Sequence, residues 1–167
     1  MRFTLVAICL AAIFAIGGSA NVNGEDLEVP KAELSDVTWG KVVNGVPFDK
    51  EDLAGKVVVV EEWGVNCAVC LATMPALAKM AKTNEKSGLR VIGLECQGSS
   101  TAEILRFLKA AKVTYPIMSG GSAPGGSNEL PYICVFDVDG KLVFSGSPED
   151  EAFERAVKKA LKDVKSE

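Results

Sequence analysis

Hydrophobic and polar positions along the chain fall into blocks whose period changes from one to the next. After Met1 and a single Arg2, residues 3–16 are uncharged and mostly apolar, and Gly18, Ser19 and Ala20 precede polar "NVNGED". A charged start, an apolar middle and a small-residue end are the layout of a cleaved secretory signal. Gly18 stands where Ala is more usual. About 14 apolar residues fall short of the roughly 20 that cross a bilayer, so cleavage after Ala20 is expected rather than an uncleaved membrane anchor. Cys9, preceded by Ile8 rather than by a small residue, goes with the segment. A polar, acidic lead over 21–35 then precedes one domain predicted over 36–167.

Within that domain the pattern first alternates. "DVTWGKVVNGVPFD" holds two short β-rich pieces around Asn44-Gly45, a pair that tolerates positive φ, and predicts a small N-terminal hairpin. Val57 to Glu61 is a continuous apolar run ending in an acid, the signature of a central strand covered on both faces. From Cys67 to about Asn84 the period becomes helical, with Leu71, Met74, Leu77, Ala78 and Ala81 on one stripe and Pro75 placed to kink it. Leu89 to Cys96 reads as a second, parallel strand. Ser100 caps a helix from about Thr101 to Lys112, with Ile104, Leu105 and Leu108 on its apolar face.

"SGGSAPGGSNEL", Ser119 to Leu130, is too rich in Gly and Ser for regular structure and reads as a flap; it lacks the lysine of a phosphate-binding loop. "PYICVFDVDGKLVFSG" predicts a hairpin turning at Asp139-Gly140, and Glu149 to Val164 a closing amphipathic helix. The scheme is βαβ followed by ββα, an α/β class.

Composition narrows the chemistry. Removing residues 1–20 takes 167 residues to 147 and 18 basic residues to 17 against 22 acidic, a net charge of −5. That length buries its own core without disulfide staples, and that charge argues against nucleic acid. Histidine is absent, which excludes Ser–His and Cys–His hydrolysis and imidazole metal ligation. Four cysteines remain after processing: Cys67, Cys70, Cys96 and Cys134. In an exported protein they can be oxidised and stay so.

Cys67-Ala68-Val69-Cys70 admits three readings. As a structural crosslink it closes a ring of four residues and removes little unfolded-state entropy. As half of a four-cysteine zinc site it needs a second close pair, which the sequence lacks. Covalent haem attachment needs a histidine where Leu71 stands. As a redox centre it needs the first thiol at a helix start, where the dipole and unpaired N–H groups favour thiolate, and the second one turn along, able to attack a mixed disulfide. The spacing favours the redox centre. Cys96 and Cys134, on strands either side of the central one, are expected as buried free thiols, and Trp39 and Tyr115 as packing residues.

"GKVVVVEEWGVNCAVCLATMP" and "LPYICVFDVDGKLVFSG", with the order of elements, resemble the thioredoxin fold, and within it the TlpA/ResA-like branch of exported thiol–disulfide oxidoreductases. The match rests on Gly55-Lys56 before the strand, Trp63 four residues before Cys67, Pro75 five after Cys70, and Pro131 before the hairpin. The resemblance implies a central mixed β-sheet flanked by helices. It also implies Cys67 as the exposed nucleophile with Cys70 more buried, and a cis Pro131 facing the pair. Leu130 would pair its backbone with an extended substrate and Trp63 would lie at the substrate side. Glu61 occupies the place of the buried acid that takes the proton of Cys70. The alternative for Glu61 is an exposed strand-end acid, and since neighbours on a strand point oppositely, Glu61 and Glu62 are not both expected inward.

Four differences stand out: Asn66 replaces a Trp, "AV" replaces a proline-containing pair, Thr73 replaces a Glu, and Glu62 replaces an aromatic. The third argues against cytochrome maturation. No bound cofactor and no metal are expected. The partners expected are disulfide or dithiol proteins of a periplasmic or secreted compartment and an upstream reductant, with the chain a monomer touching membrane only if the signal stays uncleaved. With no cation adjacent in sequence to Cys67, its thiolate is expected to be only modestly stabilised, which favours a reductant over a strong oxidant. The competing class is a thioredoxin-like module that binds a partner or metal through its cysteines without turnover.

Overall fold

In the computed structural model, which describes residues 29–126 and 129–165, the apolar run at Val57 forms β2 (Val57–Trp63), with all seven residues buried. The segment expected as a signal, residues 1–20, lies outside the described residues. Around β2 run β1 (Thr38–Asn44), β3 (Leu89–Glu95), β4 (Ile117–Ser122), β5 (Tyr132–Phe136) and β6 (Leu142–Gly146). They form one six-stranded sheet in the order β1-β4-β3-β2-β5-β6. β2, β3 and β4 are mutually parallel, and the pairs β1–β4, β2–β5 and β5–β6 are antiparallel. The sheet is mixed and flanked by helices, as expected for a thioredoxin-type fold.

Three helices, α1 (Ala68–Asn84), α2 (Thr101–Ala111) and α3 (Glu151–Ala160), pack on one face of it. The topology explains this. The crossovers β2-α1-β3 and β3-α2-β4 step the same way across the sheet, and with the same right-handed sense they must lay both helices on one side. The face they cover holds Val57, Val59, Trp63, Ile117, Ile133 and Val135. The other face, with Val58, Val60, Ile92, Leu94 and Cys134, is roofed by Val29 to Leu53 and by Ala123 from the flap.

Local chemistry sets the boundaries. Ser100 caps α2 reciprocally with Glu103, accepting its N–H at 3.4 Å while the Glu103 carboxylate accepts the Ser100 N–H at 2.9 Å. Asp150 caps α3 at 2.7 Å, and the Asp137 carboxylate accepts the N–H groups of Asp139 and Lys141 to close the β5–β6 turn. α1 is continuous through Pro75.

The small N-terminal hairpin does not form. Gly45 turns the chain with φ 80°, but Val46 beyond it is 78% exposed and β1 pairs with β4 instead. Part of the expected flap, Ser119 to Ser122, is strand. A strand reading "SGGS" has too few side chains to alternate, so it leaves no periodic signal. A Cβ on Gly121 would meet the Thr38 carbonyl oxygen at 2.5 Å, so glycine is what permits this edge to close. The helical stripes are also narrower than expected, with Leu71 and Leu105 each 43% exposed.

Candidate active site

The site grows from the end of β2. After Trp63 the chain turns through Gly64 to Asn66, the Cys67 N–H donates to the Gly64 carbonyl at 3.1 Å, and α1 begins. Cys67 is its N-cap residue, and its sulfur accepts the Cys70 N–H at 3.1 Å. A disulfide joins Cys67 to Cys70, with Cα atoms 5.3 Å apart. Cys67 is half-buried whereas Cys70 has no exposed surface. A backbone donor, the Cys70 N–H, therefore points at the sulfur a partner can reach.

The turn is propped from β3. Gln97, just beyond that strand, accepts the Asn66 N–H at 3.0 Å and lies against Gly64, where a Cβ would collide with its side chain. Beside the pair runs a groove lined by Val65, Asn66, Leu71, Glu103, Arg106 and Phe107. Arg106, absent from the sequence neighbourhood of Cys67, thus shares this groove with Asn66 and Leu71, together with the opposite charge of Glu103.

Below, Glu61 is wholly buried on the face that α1 and α2 cover. Its Oε2 accepts the Tyr115 hydroxyl at 2.7 Å, while its Oε1 has no partner. Burial pushes its pKa from 4.5 to about 7 against the opposing effect of that hydrogen bond. The Tyr115 hydroxyl is driven well above its ordinary value by burial and by the Glu61 charge, so it remains a donor.

Glu62 is buried too, on the opposite face, where it accepts the Ala123 N–H at 2.6 Å. The alternation argument against two inward acids fails here because both faces of β2 are interior. Tyr132 and Cys134 donate to the Pro124 carbonyl at 3.3 and 3.5 Å, so the start of the flap is held from below. The Leu130–Pro131 bond is cis, and Leu130, like Cys67 and Val65, packs at the margin of the helix-side core.

Trp63 is not at a substrate surface. It has no exposed area and its ring lies 4.9 Å from that of Phe107, centroid to centroid, so it supports the site from inside.

Cys96 and Cys134 are both free thiols. Cys134 is buried and its thiol is pushed up to about 11, chiefly by burial. Cys96 departs from expectation in being exposed, although its sulfur turns inward to donate to the Trp63 carbonyl at 3.3 Å. Partial burial and the charges of Glu62 and Glu95 raise that thiol also. Among the described residues no cluster of three or more Cys, Asp or Glu is arranged to hold a metal ion.

A model of the AhpC/TSA family matches residues 26–124, well over half of the chain and inclusive of both disulfide cysteines. The chain belongs to the AhpC/TSA family. Within it, thiol–disulfide oxidoreductase ResA of Bacillus thuringiensis subsp. konkukian is 25% identical over 161 residues, covering 93% of this chain and 91% of that protein. A thioredoxin-family thiol:disulfide interchange protein from Chlorobium tepidum superposes with a TM-score of 0.64 at 25% identity, over 78% of this chain and 95% of its own. A thiol-disulfide isomerase from Corynebacterium glutamicum, at 22% identity, shares the fold with a TM-score of 0.64 over 84% of this chain and 98% of its own. This AhpC/TSA member is a redox enzyme, a thiol–disulfide oxidoreductase of the ResA type with Cys67 and Cys70 as its cysteine pair.

Two residues without a signal in the sequence belong to this site. Tyr115 reads there as a packing residue and Gln97 carries no motif; both act across the sheet, from positions that only the strand order brings near.

Proposed function

We propose that the protein is an exported disulfide reductase in which Cys67 attacks and Cys70 resolves. The observation that carries this reading is the asymmetry of the pair, a half-buried sulfur at a helix start beside a fully buried one. In the reduced enzyme the Cys67 thiolate attacks one sulfur of a partner's disulfide. A Cys67–partner bond forms, the partner's S–S bond breaks, and the departing sulfur takes a proton. Cys70 then loses its proton to the Glu61 carboxylate and attacks the Cys67 sulfur. The Cys67–Cys70 bond forms, the second partner sulfur leaves as thiolate, and two electrons have passed to the partner. A buried acid titrating near 7 is matched to that transfer at neutral pH.

Leu130, preceding the cis Pro131 at the margin of the same core, offers the backbone against which an extended partner segment would lie. Residues 1–20 act as the cleaved signal and 36–167 as the catalytic domain, and an upstream dithiol reductant in the periplasmic or secreted compartment restores the pair. No bound cofactor enters either step.

Trapping tests the assignment. Cys70→Ser should accumulate mixed disulfides on non-reducing gels, while Cys67→Ser should give none and fail to accelerate insulin reduction by dithiothreitol. Equal trapping by both variants would defeat it.

A further inference from the structure

We propose that Tyr115 is a positioning residue of the redox site: its hydroxyl, fixed beside Glu61 by the segment between α2 and β4, sets how readily that carboxylate takes up the proton of Cys70. The inference rests on the reading of Glu61 as the proton acceptor.

The placement of Tyr115 is over-determined. α2 stops at Lys112, which adopts a left-handed φ of 54°, and the Val113 N–H returns to the Leu108 carbonyl at 3.0 Å. The chain is thereby turned toward the sheet. The Tyr115 carbonyl accepts the Asn44 side-chain amide at 3.1 Å, from β1, and the next carbonyl, of Pro116, accepts the Gly93 N–H at 2.9 Å, from β3. Gly45 adds a wall, since a Cβ there would stand 2.8 Å from the Pro116 Cα. Two strands therefore grip the backbone on either side of the ring.

Between Glu61 and β4 lies Gly93, in register with Glu61 on one side and Ile117 on the other. A Cβ at Gly93 would collide with the Ile117 side chain and approach the Trp63 indole nitrogen at 3.1 Å. Because that position has no side chain, no residue of β3 can serve as partner to Glu61 directly across the sheet. The donor comes instead from two residues before Ile117.

The titratable groups inside this face are few, with Glu103 and Arg106 of α2 at the groove outside it. α1 and its cap contribute Cys70 and Cys67, β3 contributes Glu95, and the α2–β4 segment contributes Tyr115. Glu95 is occupied by the Ser99 hydroxyl at 2.7 Å, the Ser99 N–H at 3.1 Å and the Gln97 N–H at 3.3 Å. β5 places apolar Ile133 opposite Glu61, and α2 and α3 bring Ile104, Leu108, Phe153 and Val157. Among the described residues no lysine or arginine is buried. A neutral hydroxyl, rather than a cation, thus answers the Glu61 charge, and it favours the ionised form enough to offset part of the burial.

Tyr115→Phe removes the hydroxyl and keeps the ring. Glu61 titration is read in the oxidised protein from the infrared carbonyl band of the protonated acid. The resolving step is read in the reduced protein, with the exposed thiol of Cys96 removed by Cys96→Ser in every variant, from the second thionitrobenzoate released on mixing with dithiobis(nitrobenzoate), the first release reporting Cys67. In Tyr115→Phe both the infrared midpoint and the pH profile of the second release should move to higher pH by about one unit. A group half-ionised at pH 7 then becomes about one-tenth ionised, slowing the second release about fivefold there while the first is unchanged.

Asn44→Ala, which frees the Tyr115 carbonyl without altering the ring, should shift both midpoints the same way by less, and serves if Tyr115→Phe folds poorly. Glu61→Gln should abolish the pH step, and adding Tyr115→Phe to it should change nothing more. An unmoved infrared midpoint in Tyr115→Phe overturns the inference while leaving Glu61 as the acceptor. Equal slowing by Tyr115→Phe in the Glu61→Gln background overturns it as well, since the effect would then be structural. A moved infrared midpoint with a second release indifferent to both Tyr115→Phe and Glu61→Gln overturns the Glu61 reading itself.

Discussion

Replacing Glu61 by Gln should change how the stability of the oxidised protein depends on pH, and the structure sets both sign and size. The carboxyl is wholly buried, and its pKa rises from 4.5 when the chain is unfolded to about 7 when folded. Between those values the folded state holds the proton more tightly than the unfolded state, so stability falls as pH rises. The loss begins near 4.5, is nearly complete just above 7, and persists beyond. At about 1.4 kcal/mol per pH unit, the interval of roughly 2.5 units corresponds to about 3 kcal/mol, of which about 2 to 3 kcal/mol falls between pH 5 and pH 8.

Gln has the same shape, can still accept from the Tyr115 hydroxyl, and does not titrate. Glu61→Gln should therefore match the parent to within about 1 kcal/mol at pH 5 and exceed it by about 2 to 3 kcal/mol at pH 8. Urea unfolding of both proteins at the two pH values, with the disulfide intact, measures the difference. Every other titrating group cancels in that comparison. Parallel stabilities across the range would show that Glu61 carries no raised pKa, and the proton-transfer role would lose its basis.

Three further outcomes are expected. Equilibration with glutathione buffers should place the Cys67–Cys70 couple nearer to thioredoxin than to a strong oxidase, because Arg106 beside the turn is accompanied by Glu103; a readily reduced disulfide with an acidic Cys67 would reverse the direction of electron flow. Gly93→Ala should lose about 1 to 3 kcal/mol in urea unfolding through overpacking against Ile117 and Trp63, and unchanged stability would mean that this row relaxes freely. Intact mass of the exported protein should correspond to a chain beginning near Asn21, whereas retention of residues 1–20 would favour an anchor.

The parts of the molecule legible in the sequence are those where side chains carry a period. The Val57 run, the Met74–Leu77–Ala78 stripe and Asp139-Gly140 announce β2, α1 and the β5–β6 hairpin, and their order suffices for the fold class. The cysteine pair is legible because its chemistry depends on spacing along one helix. β4 is hidden where its side chains vanish at Gly120 and Gly121, and with it go the true partner of β1 and the route by which Tyr115 reaches Glu61. The two acids mislead for a related reason. Alternation says that Glu61 and Glu62 face opposite ways, but only the second roof, built from residues outside the strand, makes both directions interior.

That second roof divides the molecule mechanically. On the helix side, α1, α2 and α3 carry their own hydrogen-bond ladders. The far side is covered by chain from Val29 to Leu53 that holds, besides edge strand β1, only short 3-10 turns. Its first stretch is moored to the β5–β6 hairpin through the Leu34 N–H on the Gly140 carbonyl at 2.8 Å and the Leu142 N–H on the Ala32 carbonyl at 2.9 Å. Such a cover should lift as a cooperative unit at lower free energy than global unfolding, wetting Val58, Val60 and Ile92 while Cys70 and Glu61 stay dry. Amide exchange at Leu34 and Leu142 would then run ahead of that in β2 and β3. A protease cutting the lifted cover would meet an enzyme whose redox pair is still assembled, so resistance to digestion and retention of activity would decay on separate clocks.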